Sequence, residues 1–376
     1  MRVGLVDAVE QVGGAAWRPL ESQDFPFFDY EFLDALERSG SVGPGSGWSP
    51  VHLVCERDGQ LVGAMPLYLK TDSYGEYVFD WEWAHAYHQH GMAYYPKLVA
   101  AVPFTPATGP KVLVRPDADR KAVTRTLLDA AREVGEENRA SSTHALFVPE
   151  RDLGYFEERG FAVRHSLQFH WHNRGHPSFD DYLGALTSKR RRQISRERRQ
   201  LDEDLTIERL TGDALEPEHA DMMYRFYTST SDRKWGSPYL NRKFFREVFR
   251  TMKDRLLFVL ARDGRGHPVA GTINFYKDGV LFGRHWGAVE ERRNLHFELC
   301  YYQTIEFAIG RGIKLFEAGA QGEHKLARGF LPTLTYSAHD LRHPAFRQAI
   351  GRFVEEEKEY LDHAVEEYSR HDPYKV

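Results

Sequence analysis

The chain has 376 residues, 41% of them hydrophobic, and a formal net charge of −5, so two domains are expected and charge gives no general bias toward polyanions. Two cysteines, Cys55 and Cys300, cannot build a disulfide framework and fit a reducing cytosol. No window nears the roughly 18 consecutive apolar residues of a membrane span, and the opening MRVGLVDAVEQVGG lacks the character of a signal peptide, so a soluble cytoplasmic protein is expected.

Residues 27–38 read as a helix, and 51–69 as a strand, a tight turn at Arg57, Asp58 and Gly59, and a second strand. His85, His88 and His90 stand among Trp81, Trp83 and Tyr87, which suggests an aromatic loop over a pocket rather than a metal site. Tyr94, Tyr95 and Lys97 lead into residues 102–110, whose three prolines and one glycine make a stiff loop. With Tyr95, Lys97, Phe104 and Thr105 this region either lines a pocket or packs between domains. Residues 120–137 read as a helix and 144–148 as a strand, and a division falls near residue 170.

Ser178 to Asp181 has the form of a helix N-cap with acids in the first turn, opening a basic helix over 178–204. Lys189, Arg190, Arg191, Arg192, Arg196, Arg198 and Arg199 crowd this stretch, with Glu197 the only acid before Asp202, Glu203 and Asp204. It either grips the phosphates of RNA, coenzyme A or a nucleotide-linked precursor, or is a solvated helix balanced by those acids. A helix over 242–252 and a second strand–turn–strand unit over 257–276 follow. A strand over 280–289 places Val280, Phe282, Arg284, Trp286 and Ala288 on one face and His285 on the other.

The most informative stretch is 295–328. Leu295, Leu299, Tyr302, Ile305 and Ile309 recur at helical spacing, and glycine closes the helix. A short apolar strand over 313–318 ends in the polar loop 319–325, GAQGEHK. Glu317 on that strand needs a partner, for which Arg284 is the candidate. A polar cluster past the carboxyl end of a buried strand is where α/β sheets often keep their chemistry, although a solvated turn has the same composition. Residues 345–368 read as a long amphipathic helix. Each half thus runs strand pair, further strand, helix, returning strand, which points to one α/β unit used twice, in domains 1–170 and 171–376.

That order resembles the GNAT acyltransferase fold. Residues 94–98, 102–110, 178–192, Gly283 and Arg284 with Trp286 and Gly287, and 295–328 narrow the resemblance to the FemAB-like branch of that superfamily. The resemblance implies an α/β (α+β) fold of two tandem GNAT-like domains, each a mixed, mostly antiparallel sheet flanked by helices. It also implies transfer of an acyl or aminoacyl group to an amine on a peptide, a cell-wall precursor or a small molecule. Better-understood relatives take amino acids from aminoacyl-tRNA and attach them to peptidoglycan precursors. His285 departs from the aromatic residue expected there. The glycine-rich pyrophosphate loop of acetyl-CoA-using members is also absent: the approach to the helix reads VEERRNL over 289–295. No tightly bound cofactor is expected, and the donor is aminoacyl-tRNA or, alternatively, acyl-CoA. A non-catalytic module binding precursors or RNA is the third reading.

Amine attack on an ester or thioester needs a neutral amine, a stabilised oxyanion and a protonated leaving group. Glu323 or His324 is expected as proton acceptor, with Lys325 or Arg328 holding an anionic donor or the oxyanion, and Glu298 facing the same gap. Arg284, Trp286, Glu317, Gln321, Tyr301 and Tyr302 are expected to line the substrate. His296 and Cys300, at i and i+4, fit core packing better than a metal.

Overall fold

The computed structural model describes residues 1–233, 238–320 and 322–375, with the backbone alone at 231–233 and 323. The chain divides into two compact units, Met1–Leu167 with Leu334–Ala364, and Gln168–Thr333 with Val365–Val376. The strands Ala162–His172 and Leu331–Leu341 and the helix Pro344–Ser369 each begin in one unit and end in the other. Much of the terminal helix, expected in the second domain, therefore groups with the first.

In the first unit, Arg2–Val6, His52–Arg57, Gln60–Met65 and Leu113–Val114 form an antiparallel sheet. The tight turn is made by Asp58 and Gly59, both at positive φ, which matches the twist of a two-residue hairpin. A second set of strands pairs Trp48–Pro50 with Tyr68–Lys70 and that with Lys97–Ala100, antiparallel throughout. Lys97–Ala100 then runs parallel to Ser142–Val148, and the helix Arg120–Glu137 makes the crossover that parallel strands require. Leu127, Leu128 and Ala131 of that helix are buried against Leu53, Cys55 and Val62 of the sheet. The expected aromatic loop is instead a helix, Trp81–Gln89: Trp83 and Tyr87 lie on its buried side, and Tyr87 stacks on Phe346 at 3.9 Å. His85, His88 and His90 are exposed.

The second unit repeats the plan. Thr206–Leu210, Leu256–Arg262, Pro268–Lys277 and Val280–Ala288 form an antiparallel meander. A helical crossover over 295–310 returns the chain as Leu315–Glu317, parallel to Val280–Phe282. The helix Pro217–Arg233 docks on the strand Val280–Ala288, where Ser229 and Thr230 donate to the carbonyls of Ala288 and Trp286 at 3.0 and 3.1 Å. Gly287 makes this possible, because a methyl group there would overlap the Phe226 carbonyl. The basic stretch is two helices, Phe179–Ala185 and Ser188–Arg199. They break where Leu186 turns extended and the Thr187 amide donates to the Pro373 carbonyl at 2.8 Å. No helix among the described residues is long and apolar enough to cross a membrane.

Candidate active site

The parallel pairing of Val280–Ala288 with Leu315–Glu317 stops after Phe282 faces Glu317. At that point the first strand bulges. His285 lies opposite Ile273 and Gly283 opposite Asn274, leaving Arg284 as the extra residue. The strict alternation expected of Arg284 and Trp286 therefore fails. His285 packs against Tyr227 and Phe245, while Trp286 meets His296 edge-on at 5.2 Å. Beyond the bulge a cavity of ≈540 Å³ opens, lined by Thr272, Asn274, Gly283 to Trp286, His296, Cys300, Tyr301, Ala318, Gly322 and His324.

The crossover helix contributes through an irregularity. Between Leu295–Phe297 and Gln303–Gly310 lies a π-helical turn, Glu298–Tyr302. Such turns often mark functional sites, and here neighbouring residues serve different surroundings. Cys300 and Tyr301 line the cavity, whereas Glu298 and Tyr302 meet the basic helix. Glu298 is buried and paired with Arg198 at 2.9 and 3.2 Å, and it accepts from Gln303 at 2.7 Å. A carboxylate so engaged is not available as a base in the cavity, which corrects the role expected for Glu298.

The loop after Leu315–Glu317 folds into a tight helical turn, Glu323–Arg328. Its key fastener is Arg328, almost wholly buried. The guanidinium donates to the Tyr302 hydroxyl at 2.9 Å, the His324 carbonyl at 2.8 Å and Glu197 at 2.7 Å, and it lies 3.6 Å from the Phe297 ring centre. Arg328 is thus a positioning residue for the turn, not the anion holder expected from sequence.

The turn carries His324 to the cavity rim, where Nε2 is 2.9 Å from the Tyr301 hydroxyl. Partial burial, then Arg328 and Lys325, hold the imidazole below its ordinary pKa, so it is neutral at neutral pH. Lys325 is buried, donates to the Gly319 carbonyl at 2.7 Å, and is lowered by burial to about 8. Burial pushes the Cys300 thiol up to about 12, so it is no nucleophile at neutral pH. Glu317 is buried at the end of its strand, opposite Phe282 and His170. Gln321 lies outside the described residues, and Glu323 is described by its backbone alone.

Two cavity residues, Thr272 and Asn274, escaped the sequence reading. Asn274 is buried, its Nδ2 donates to the Leu257 carbonyl at 3.2 Å, and its Oδ1 has no partner among the described residues. A buried acceptor left unpaired costs about 1–3 kcal/mol, which a ligand N–H or O–H would recover.

The first-unit candidates form a buried scaffold. Lys97 is fully buried, donating to Ser73 and Glu76 at 2.8 Å each and also to Asp80. Tyr95 meets Ser73 at 2.8 Å, Phe104 packs on Trp48, and Thr105 is buried. These residues are packing, contrary to the substrate contacts expected of them.

The basic helix is different. Lys189, Arg192, Arg196 and Arg199 are exposed at helical spacing, on one face, and form no ion pair among the described residues. Arg190 and Arg191 are half-buried, Arg190 donating to Gln193. Two of the three acids expected to balance this stretch are engaged elsewhere: Asp202 and Asp204 both pair with Arg292 at 3.1 Å.

A family model described as peptidoglycan biosynthesis/recognition matches residues 8–376. No curated protein matches the sequence. Among solved structures, FemX is 11% identical and covers 93% of this chain and 100% of its own, with a TM-score of 0.54. The C-terminal domain of a putative lysylphosphatidylglycerol synthetase from Agrobacterium fabrum is 11% identical, covering 89% of this chain and 93% of that one, also at 0.54. A conserved protein of unknown function from Bacteroides thetaiotaomicron is 13% identical, covering 91% and 100%, again at 0.54. At such identities the likeness concerns the fold alone.

Proposed function

The chain belongs to the FemAB-like family, and from that premise we propose that it is a transferase making an amide on an amine acceptor, with aminoacyl-tRNA as donor and a peptide or peptidoglycan-type precursor as acceptor. The observation that carries this reading is the cavity at the parted strands, lined both by Asn274, whose buried Oδ1 is an orphaned acceptor, and by His324 with its neutral imidazole. In the proposed reaction the amine nitrogen attacks the ester carbonyl carbon. The C–N bond forms, the C–O bond to ribose breaks, and the ribose hydroxyl leaves with a proton.

Asn274 Oδ1 accepts one N–H of the incoming amine and so orients its lone pair. Its own Nδ2 is committed to Leu257, which keeps the oxygen turned inward. His324 takes the proton the amine loses, steadied by Tyr301. Lys325, behind Cys300, supplies positive charge as the oxyanion forms.

Two features favour tRNA over acyl-CoA. The approach to the crossover helix lacks glycine, and its Arg292 is committed to Asp202 and Asp204. The unpaired basic face of the helix Ser188–Arg199 suits a phosphate backbone. The test supplies the full chain with charged tRNA, then with acyl-CoA, together with a panel of amines, and detects products by mass. Product from charged tRNA is expected. Product from acyl-CoA alone would assign the donor to coenzyme A, and product from neither, with precursor or RNA binding intact, would make the protein a binding module.

A further inference from the structure

The first unit holds a cleft that the transfer reaction does not use. Its wall begins in residues 71–80, a loop built around Lys97. Ser73, Glu76 and Asp80 turn inward to that buried ammonium, while Tyr74 and Phe79 between them turn outward. Tyr74 is 60% exposed, Phe79 57% and, just beyond, Trp81 42%. Tyr74 and Trp81 meet edge-on at 5.2 Å. Large apolar side chains gathered on a surface mark contact sites. Here they are fixed by buried ionic groups, which are costly to desolvate unless fully paired. Across the cleft stands Tyr360 of the terminal helix, 73% exposed. Phe79, Trp81 and Tyr360 bound a space of ≈630 Å³, with Arg164 also in its lining.

Charge selects the occupant. Arg164 is neutralised by Glu357, through two bonds of 2.7 Å, and donates to the Phe79 carbonyl at 2.7 Å. Glu82 and Glu356 also line the cleft, exposed, with no cationic partner among the described residues. The cleft therefore offers aromatic faces and two free carboxylates. An anion is repelled there, and a neutral chain leaves the carboxylates unused. An ammonium on an aliphatic stem satisfies both surfaces, by cation–π and ionic attraction at its head and apolar contact along its stem.

We propose that this cleft binds the lysine side chain of a peptide, its ammonium between Glu82 and Glu356 and its stem against Phe79, Trp81 and Tyr360. The binding stands whether or not the second unit transfers an aminoacyl group. The test titrates the full chain with acetyl-Ala-Lys-Ala-amide and follows tryptophan emission, with Trp81→Phe to assign the signal. A saturable change is expected, absent with the Nε-acetylated peptide and weakened by added salt. The double variant Glu82→Gln, Glu356→Gln should bind about five-fold more weakly, the size of two exposed ion-pair contributions. No saturable change, equal binding of the acetylated peptide, or unaltered binding by the double variant would overturn the proposal. So would saturation by a neutral oligosaccharide such as chitotetraose in place of the peptide.

Discussion

His324 and Lys325 are neighbours with opposite surroundings, and each leads to a separate measurement. His324 is partly exposed, and its ring hydrogen-bonds the Tyr301 hydroxyl. Replacing it with Ala should leave the melting temperature nearly unchanged and lower kcat by about 10²–10⁴, the usual range for loss of a general base. A kcat within the scatter of the wild type would remove His324 from the chemistry. Lys325 is buried and held at about 8, against an ordinary 10.5. Below pH 8 the folded state carries a penalised ammonium. Between 8 and 10.5 the unfolded chain binds the extra proton, so stability rises with pH across that window, by on the order of 3 kcal/mol. Lys325→Met should abolish the rise, measured by denaturant titration at several pH values. At this scale the sequence was partly readable. The loop bearing His324 announced itself by composition, and Thr272 and Asn274 left a weaker trace as two polar residues on one face of an otherwise apolar strand. Nothing in the spacing of Glu298 revealed Arg198, which lies 100 positions earlier.

Strand and helix bounds were largely legible, because periodicity and turn residues set them locally: Arg120–Glu137 and the terminal helix fall within a residue of expectation. The irregularities were not. The bulge at Arg284 depends on a register between two strands, and the π turn has no local sequence signature. The break in the basic stretch depends on Pro373. Each irregularity shapes the candidate site or the basic face, so each is worth a variant. Gly287→Ala forces the helix Pro217–Arg233 off the bulged strand and should cost about 1–3 kcal/mol with a loss of transfer activity. Arg198→Ala leaves Glu298 as an unpaired buried charge and should cost about 3 kcal/mol, seen as a fall in denaturation midpoint. Changing Lys189, Arg192, Arg196 and Arg199 to Ala should weaken tRNA binding and flatten its salt dependence, while the melting temperature holds. An unchanged salt slope would assign the nucleic acid to another surface.

For the molecule as a whole, acid is the condition to watch. His144 and His170 are pushed by burial to about 3, and His285 and His339 fall well below 6.5. All four are neutral when folded, whereas unfolded imidazoles take protons from pH 6.5 downward. The unfolded chain then binds more protons, so stability drops as pH falls through that value. Burial raises Glu76 to about 7, which works in the opposite direction, but one carboxyl stands against four imidazoles. Urea midpoints should therefore decline from pH 7 to 5, and a flat profile would contradict the burial of these rings. The sequence disclosed that an α/β plan is used twice, because hairpin, helix and returning strand recur in order. It did not disclose how the chain is shared out. Leu334–Ala364 returns to the first unit, where Ser142–Val148 needs Tyr336–Leu341 as its neighbour and where Phe346, Ile350 and Val354 complete the packing around Trp83 and Tyr87. A stop codon after Thr333 would thus do its greatest damage to the half made first. The ribosome would release an amino-terminal portion with a naked strand edge and an open apolar seam, prey for proteases. The first unit is therefore finished only when the chain has already passed through the second.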